Sequence, residues 1–219
     1  MEIHLQKELD RLKRRIFHLS ALVEENFKNA LRAVHSADQD LAARVVEEDR
    51  EIDHIEVEVE EECLKILALH QPVATDLRFL VVVLKMNNDL ERIGDLAVNI
   101  ASVSALRAGA TMPEDLGHRI LELGEKARAM LRSALEALME MNADAARAVL
   151  ELDDEVDALY LSFSGEVKAK LSQCDGKEAS LVSWLMAAKA IERVADHATN
   201  IAEDTIYSVE GEIVRHGLN

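Results

Sequence analysis

The chain has 219 residues, 49% of them hydrophobic, and a formal net charge of −17 at pH 7. This hydrophobic fraction is ample for a folded core and excludes a disordered acidic tail, whereas the acidic balance disfavours nonspecific binding to nucleic acid or anionic lipid. Eight glycines, two prolines and 3% aromatic residues are typical of long helices joined by few turns.

The sequence shows no pattern of export or of membrane insertion. We expect no signal peptide, because the N-terminal residues lack an apolar segment. The longest purely apolar run, residues 79–84, is too short to span a bilayer. We expect Cys63 and Cys174 to be reduced thiols in a cytosolic protein.

In the first half of the chain, apolar residues recur at intervals of three or four and predict three helices. The first helix is predicted over about 3–36 and the second over about 41–70, with Asp40 able to cap the second. The third is predicted to run to about residue 107, with Pro72 in its first turn.

Two stretches within these helices need interpretation. Residues 56–62 alternate between glutamate and valine like a strand for a few positions, but the helical pattern continues through them in register. We therefore predict helix there and interpret the glutamate run as a solvated face. Residues 79–84 are apolar on all sides, so we expect this part of the third helix to be central in a bundle.

The clearest break in the pattern is the stretch 108–114, which contains Gly109 and Pro113. We place a repeat boundary there, so that residues 1–110 form a first three-helix repeat and residues 111–219 a second, packed as one compact unit. Three further helices are predicted at about 114–141, 143–173 and 177–210, separated by Asn142 and by the turn 174–176.

The two halves share a motif. The frame Glu-Arg-aliphatic-x-Asp-x-Ala-x-Asn-Ile-Ala occupies residues 91–101 and again residues 192–202. Residues 47–53 and 151–157, in the second predicted helix of each half, also resemble each other. The sequence therefore predicts an all-α fold of six long helices, arranged as two tandem three-helix bundles with an internal pseudo-twofold repeat.

The repeated frame places acidic side chains together on one helical face. Glu91, Asp95 and Asn99 fall within roughly 80° of one another on a helix, in the sector that carries Leu77 and Val81 upstream. Equivalent residues of the second copy follow the same pattern. Like charges four positions apart repel by about 0.2–0.5 kcal/mol per pair, so we expect a cation to offset the repulsion.

Three stretches of the chain resemble the PhoU family, the phosphate-transport regulatory proteins of bacteria and archaea. These are His-Gln-Pro-Val-Ala-Thr-Asp-Leu-Arg at 70–78, the first copy of the frame with its preceding residues at 89–101, and the second copy at 191–204. The duplicated six-helix layout matches along essentially the whole chain. A single Glu-x-x-x-Asp is a weak motif, but two copies in one extended frame are specific.

The resemblance implies a cytoplasmic regulator of phosphate uptake that is also a negative regulator of phosphate-starvation signalling. It would act as a metal-binding adaptor between the ATPase of the phosphate ABC transporter and a sensor histidine kinase. A homodimer is implied, with no nucleic-acid partner and no direct membrane insertion, so that any membrane association is made through the transporter. A metal-binding or storage bundle without a signalling partner is the alternative.

The resemblance also implies the metal ligands, because the family's Glu/Asp-x-x-x-Asp motifs resemble metal-binding patches. Carried over by position, the ligands on the third helices are Glu91, Asp95, Glu192 and Asp196, and those on the second helices are Asp49, Asp53, Asp153 and Asp157. Such oxygen donors favour Mg²⁺ or Mn²⁺, although iron and zinc also occur in the family. Asn99 and Asn200 are secondary candidates.

Each of these assignments has a simpler alternative. The acidic residues of the third helices could pair with arginines on neighbouring helices, and those of the second helices could form a solvated face. Arg92 and Arg193 lie just outside the acidic faces, so we interpret them as ion-pair partners rather than as a phosphate site.

The residues do not suggest an enzyme. Glu51 and His54 have the Glu-x-x-His spacing of di-iron bundles, but they point away from the apolar stripe, and the second repeat has Ala158 in place of the histidine. We found no phosphate-binding loop and no nucleophile set. His197 stands where the first repeat has Leu96, and we expect it to be peripheral, with metal ligation as the alternative.

Overall fold

The computed structural model describes residues 2–106, 114–172 and 178–214. These residues form six α-helices, and no strand is present among them. The helices are α1 (Glu2–Ser36), α2 (Gln39–His70), α3 (Ala74–Leu106), α4 (Glu114–Met139), α5 (Ala143–Leu171) and α6 (Glu178–Glu210). The predicted all-α architecture is confirmed.

The helices pack as two bundles of three. Helices α1, α2 and α3 contact one another, as do α4, α5 and α6, and the bundles are joined by contacts of α3 with α6 and of α1 with α4. The core is continuous across both bundles and includes the large buried side chains of Phe27, Phe163 and Trp184. The tandem three-helix arrangement is therefore confirmed, with α3 and α6 at its centre.

Two helix starts differ from the predictions. Asp38, not Asp40, caps α2, because its extended backbone lets its carboxylate accept a hydrogen bond of 2.9 Å from the amide of Leu41. Helix α3 begins at Ala74 rather than at Pro72, since Gln71 and Ala74 have positive φ values of 46° and 49°, which interrupt helical geometry between them. Asn142 caps α5.

The interpretation of the glutamate run as a solvated face holds for only part of it. It is helical, as predicted, but Glu62 is largely buried and lies within 3.4 Å of Arg11 and Arg15 of α1. Glu56 accepts a hydrogen bond from Asn87 of α3. The run therefore faces neighbouring helices along part of its length, and only residues such as Glu60 and Glu61 are exposed.

The packing expected for several apolar residues holds only in part. Within the run 79–84, three of the six side chains are buried, but Leu77 at the start of α3 and Val182 of α6 are exposed. Cys63 is buried and unpaired, and burial raises the pKa of its thiol to about 12, which keeps it protonated.

The predicted repeat boundary at residue 110, the turn 174–176 and Cys174 lie outside the described residues. The division at residue 110 therefore stays a prediction. Within the described ranges, none of the helices combines the length and apolar character needed to cross a membrane.

Candidate functional site

The first acidic cluster lies where α2 and α3 run antiparallel. Asp49 faces α3 at Gly94: a Cβ atom at residue 94 would lie only 2.6 Å from Asp49 Oδ1. Gly94 falls between Glu91 and Asp95 in the repeated frame, so the carboxylate of Asp49 reaches the α3 backbone among them. The structure thus brings together four of the predicted residues, with Asp53 one turn further along α2.

Burial and mutual repulsion shift the titration of this cluster. The pKa of Asp49 is raised from 3.8 to about 6, mainly by burial and then by the charges of Asp53, Asp95 and Glu91. Burial also raises the pKa of Glu91, with Asp95 adding to the shift and Arg92 opposing it. The pKa of Glu56, a residue that the sequence reasoning did not include, is raised by burial and by Glu60 and Glu91.

The first cluster is only partly neutralised within the protein. Arg92 Nη1 donates to Asp95 Oδ2 at 3.0 Å, and Arg92 Nε lies 3.3 Å from Glu91 Oε2. The arginine pairing considered as an alternative is therefore present, but the arginine comes from the same helix and not from a neighbour. Within the described part of the chain, the buried oxygens Asp49 Oδ1 and Glu91 Oε2 have no hydrogen-bond donor.

The second cluster lies between α5 and α6. Burial is the main cause of the raised pKa of Asp153, with Asp157 adding to the shift and the hydroxyl of Thr199 opposing it. The pKa of Asp196 is likewise raised by burial and then by Glu192. Asp153 Oδ1 is buried without a hydrogen-bond partner among the described residues, as is its counterpart on Asp49.

A lysine distinguishes the second cluster from the first. Lys189 Nζ forms an ion pair with the buried carboxylate of Glu192 and lies 5.2 Å from the centre of the Tyr160 ring. At the equivalent place of the first repeat, 101 residues earlier, stands the uncharged Asn88. The second cluster therefore carries an internal cation next to its most buried acid.

Both clusters suit a hard cation by donor type, since all the predicted ligands are carboxylates. Some of their buried carboxylate oxygens accept no hydrogen bond, and burying such an oxygen costs folding free energy unless a positive charge lies nearby. However, no three His, Cys, Asp or Glu side chains of the described ranges converge in a geometry that would hold a metal ion. Direct ligation by three side chains at either cluster thus requires rotamers other than those described.

A polar contact across the centre of the molecule was not foreseen from the sequence. His197 Nδ1 lies 2.7 Å from Asp89 Oδ1 of α3, and Asn200 Nδ2 donates to the same oxygen at 3.2 Å. The prediction that His197 is peripheral was wrong, because its side chain is only 15% exposed. The sequence did carry a signal for this contact. Asp89 and His197 are each polar where the other copy of the repeat has an apolar residue, Ala190 and Leu96 respectively.

The Glu-x-x-His spacing on α2 lies on the surface of the bundle. His54 is 76% exposed and lies 3.4 Å from Glu58, and Glu51 is exposed on the same helix. These side chains face away from the core, as expected from the helical pattern.

Comparisons with known proteins agree with the repeat. The PhoU domain matches this chain twice, over residues 16–103 and 120–205. The chain is 31% identical, over 95% of both chains, to the phosphate-specific transport system accessory protein PhoU homolog of Clostridium acetobutylicum. It is 32% identical to the accessory protein PhoU of Escherichia coli, over 95% of this chain and 86% of that one.

Solved structures give the same result. The crystal structure of PhoU from Pseudomonas aeruginosa superposes with a TM-score of 0.91 at 32% identity, covering 94% of this chain and 99% of that one. The phosphate transport system regulatory protein PhoU from Streptococcus pneumoniae superposes with a TM-score of 0.88 at 28% identity, covering 96% and 99%.

Proposed function

The chain belongs to the PhoU family, and from this premise we propose that it is a regulatory accessory protein of a phosphate-specific transport system. The names of its relatives in Clostridium acetobutylicum and Escherichia coli support this role, and an accessory protein is consistent with a chain that has no enzymatic activity. It restrains phosphate uptake and the starvation response when phosphate is sufficient.

The proposed mechanism uses the two acidic clusters as cation sites. The observation that carries it is that buried oxygens of Asp49 and Asp153 accept no hydrogen bond from the described residues, and that Glu91 Oε2, although 3.3 Å from Arg92 Nε, accepts none either. Asp49, Asp53, Glu91 and Asp95 would hold one site, and Asp153, Asp157, Glu192 and Asp196 the other. Oxygen donors favour Mg²⁺ or Mn²⁺, with iron or zinc as alternatives. A bound cation would remove the repulsion that raises the pKa of Asp49.

We further propose that the bundle is a docking platform. Its partners are the ATPase of the phosphate ABC transporter and a sensor histidine kinase, as the family resemblance implies, and cations at the clusters bridge or shape the docking face. The protein acts as a homodimer in the cytoplasm and reaches the membrane through the transporter. A metal-storage bundle without a signalling partner is the competing function.

The experiment measures cation binding first and partner binding second. Isothermal titration with Mn²⁺ and Mg²⁺ should find a small number of sites per chain. Replacing Glu91 and Asp95 together by alanine should lower the affinity at the first cluster by about tenfold or more. The affinity for the cytoplasmic part of the phosphate-sensing kinase is then measured with cation and with chelator, and we expect micromolar or tighter binding that chelation weakens.

The matched control replaces Glu47 and Glu51, an exposed acidic pair with the same spacing on α2, and should leave cation binding unchanged. Unaltered metal content in the Glu91/Asp95 double variant would reject the ligand assignment. Absence of kinase binding with and without cation would direct the search to the transporter ATPase. Many ions per chain, or oxygen consumption with Fe²⁺, would favour storage or oxidation.

A further inference from the structure

The two acidic clusters differ at two equivalent places, and the two differences lie next to each other. Lys189 on α6 stands where the first repeat, 101 residues earlier, has Asn88. Tyr160 on α5 stands where the first repeat, 104 residues earlier, has Glu56. The ring centre of Tyr160 lies 5.2 Å from Lys189 Nζ, a distance at which the ring attracts the ammonium group. At these two places the second cluster therefore has one acid fewer and one cation more than the first.

Glu56 adds negative charge to the first cluster beyond its four proposed ligands. The pKa of Glu56 is raised by burial and by the charges of Glu60, Glu91 and Asp53, so its carboxylate lies close to ligands of both helices. Its hydrogen-bond donor is the uncharged amide of Asn87, at 2.9 Å. The excess of negative charge in the first cluster is therefore not offset at this place.

Lys189 lies among the carboxylates of the second cluster. Its Nζ donates to both carboxylate oxygens of Glu192, the most buried of the eight proposed ligands at 8% exposure. Its charge also opposes the rise in the pKa of Asp196, which burial and then Glu192 cause. Because an ammonium group is a compact positive charge with three donors, it supplies these oxygens with part of what a metal ion would supply.

The arginine of the repeated frame does not make up this difference. It is present in both copies, as Arg92 and Arg193, so Lys189 is an additional cation. Arg92 is 52% exposed and contacts Glu91 and Asp95, while Asp49 Oδ1 receives no hydrogen bond from the described residues. The first cluster therefore keeps a buried oxygen that its own arginine does not reach.

Resting on the cation sites proposed above, we propose that Lys189 is a built-in counter-ion that makes the two sites unequal. A divalent cation at the second cluster has to displace the ammonium group from Glu192 or bind against its repulsion. At the first cluster the equivalent residue, Asn88, is uncharged and imposes no such cost. The chain therefore binds its first divalent cation between α2 and α3 and fills the second site only at a higher cation concentration.

The test is a titration of the full chain with Mn²⁺, followed by the electron paramagnetic resonance signal of the free ion. We expect two kinds of site whose dissociation constants differ by about tenfold or more. Lys189→Asn, which introduces the residue of the first repeat, should tighten the weaker site by about tenfold. Lys189→Met, which keeps the length of the side chain without its charge, should act in the same direction. Asn88→Lys, at an exposed position, should weaken the tighter site by a similar factor.

Lys126→Asn is the matched control. Lys126 is half exposed like Lys189 and also forms an ion pair with a glutamate of the second bundle, Glu155, which is not one of the proposed ligands. The variant removes the same charge and should leave both dissociation constants within about twofold. Replacing Glu91 and Asp95 together by alanine should abolish the tighter site and leave the weaker one, which assigns each site to its cluster.

Two sites of equal affinity in the wild type would overturn the proposal, as would unchanged binding in both Lys189 variants, and either result would leave the cation function intact. Absence of Mn²⁺ binding in the wild type and in every variant would reject the cation function as well. Circular dichroism shows whether the variants keep their helices. If the Lys189 variants do not, Asn88→Lys decides the outcome alone, and an unweakened tighter site in that variant would overturn the proposal.

Discussion

The position of Asp49 makes its ionised carboxylate unfavourable for the stability of the folded chain. Its oxygen lies against α3 where Gly94 leaves room, among Asp53, Glu91 and Asp95. An exposed aspartate would lose little on folding, but this one gives up water without gaining a hydrogen donor to Oδ1 from the described residues. The fold therefore holds the residue in an arrangement that a bound cation or a proton would relieve.

The raised pKa of Asp49 gives a prediction for the dependence of stability on pH. With the pKa at about 6 in the folded chain against 3.8 ordinarily, the folded state binds more protons between these values, so the free energy of unfolding falls as pH rises from about 4 to about 6. In metal-free buffer, Asp49→Asn should reduce this fall and stabilise the protein at pH 7.5 by about 1–2 kcal/mol. Urea unfolding at pH 4.5 and 7.5 measures both effects.

Glu48→Gln is the control for this prediction, because Glu48 is an exposed neighbour on the same helix. This substitution should leave nearly unchanged both the fall in the free energy of unfolding between pH 4 and pH 6 and its value at pH 7.5. A destabilised Asp49→Asn protein in metal-free buffer would show that the carboxylate has a favourable partner in the folded state, contrary to our interpretation.

The interface between α3 and α6 is asymmetric even though the two helices are repeats of each other. Asp89 contacts His197 across it, whereas the equivalent pair is Ala190 and Leu96. In the same way Lys85 Nζ lies 3.1 Å from Asp204 Oδ1, and the equivalents are Met186 and Val103. One half of the interface is thus held by charged or polar pairs and the other half has apolar residues at the same positions.

A double-mutant cycle tests the pair at Asp89. His197→Leu alone should destabilise the protein by about 1–3 kcal/mol, because the buried carboxylate of Asp89 loses its strongest partner. Adding Asp89→Ala recreates the apolar pair of the other half and should recover most of this loss. Denaturant unfolding of both single variants and the double variant gives the coupling energy. A double variant as unstable as the sum of the single variants would contradict a direct contact.

At the scale of the whole molecule, the two bundles pack together through α3 and α6, and α1 and α4 also approach each other closely. A Cβ atom at Gly124 would lie 2.7 Å from Leu31 Cδ2 and 3.0 Å from its Cδ1. Leu31 is almost fully buried, and a side chain at residue 124 would require it to shift. The preference for glycine here thus comes from the contact between the bundles and not from a positive φ in α4.

Replacing this glycine tests the contact. Gly124→Ala should be less stable than Gly165→Ala by about 1–3 kcal/mol, since both substitutions gain helix propensity but only the first overpacks the core. Adding Leu31→Val should relieve part of the difference. Thermal or urea unfolding provides the comparison, and equal stability of the two alanine variants would show that Leu31 repacks freely.

Much of the architecture could be predicted from local sequence. The spacing of apolar residues predicts the helices, and the repeated frame at 91–101 and 192–202 predicts the duplication, because each depends on residues within a few turns of one another. The start of α2 could not be predicted in the same way. Asp40 was predicted as its cap, but Asp38 is of an equally suitable type, and its extended backbone makes it the cap in the structure.

The sequence by itself determined that this protein is a duplicated helical bundle with carboxylates at matching positions of both halves. Only the tertiary structure decided which of those carboxylates lose water, that Glu62 and Glu56 face neighbouring helices, and that His197 meets Asp89 across the centre. The physical reason is the distance along the chain over which each property is set. Helix formation and side-chain direction follow from residues close in sequence, whereas burial and pairing depend on which helices pack together and how they are aligned along their axes. Asp89 and His197, which meet although they are 108 positions apart, are an example.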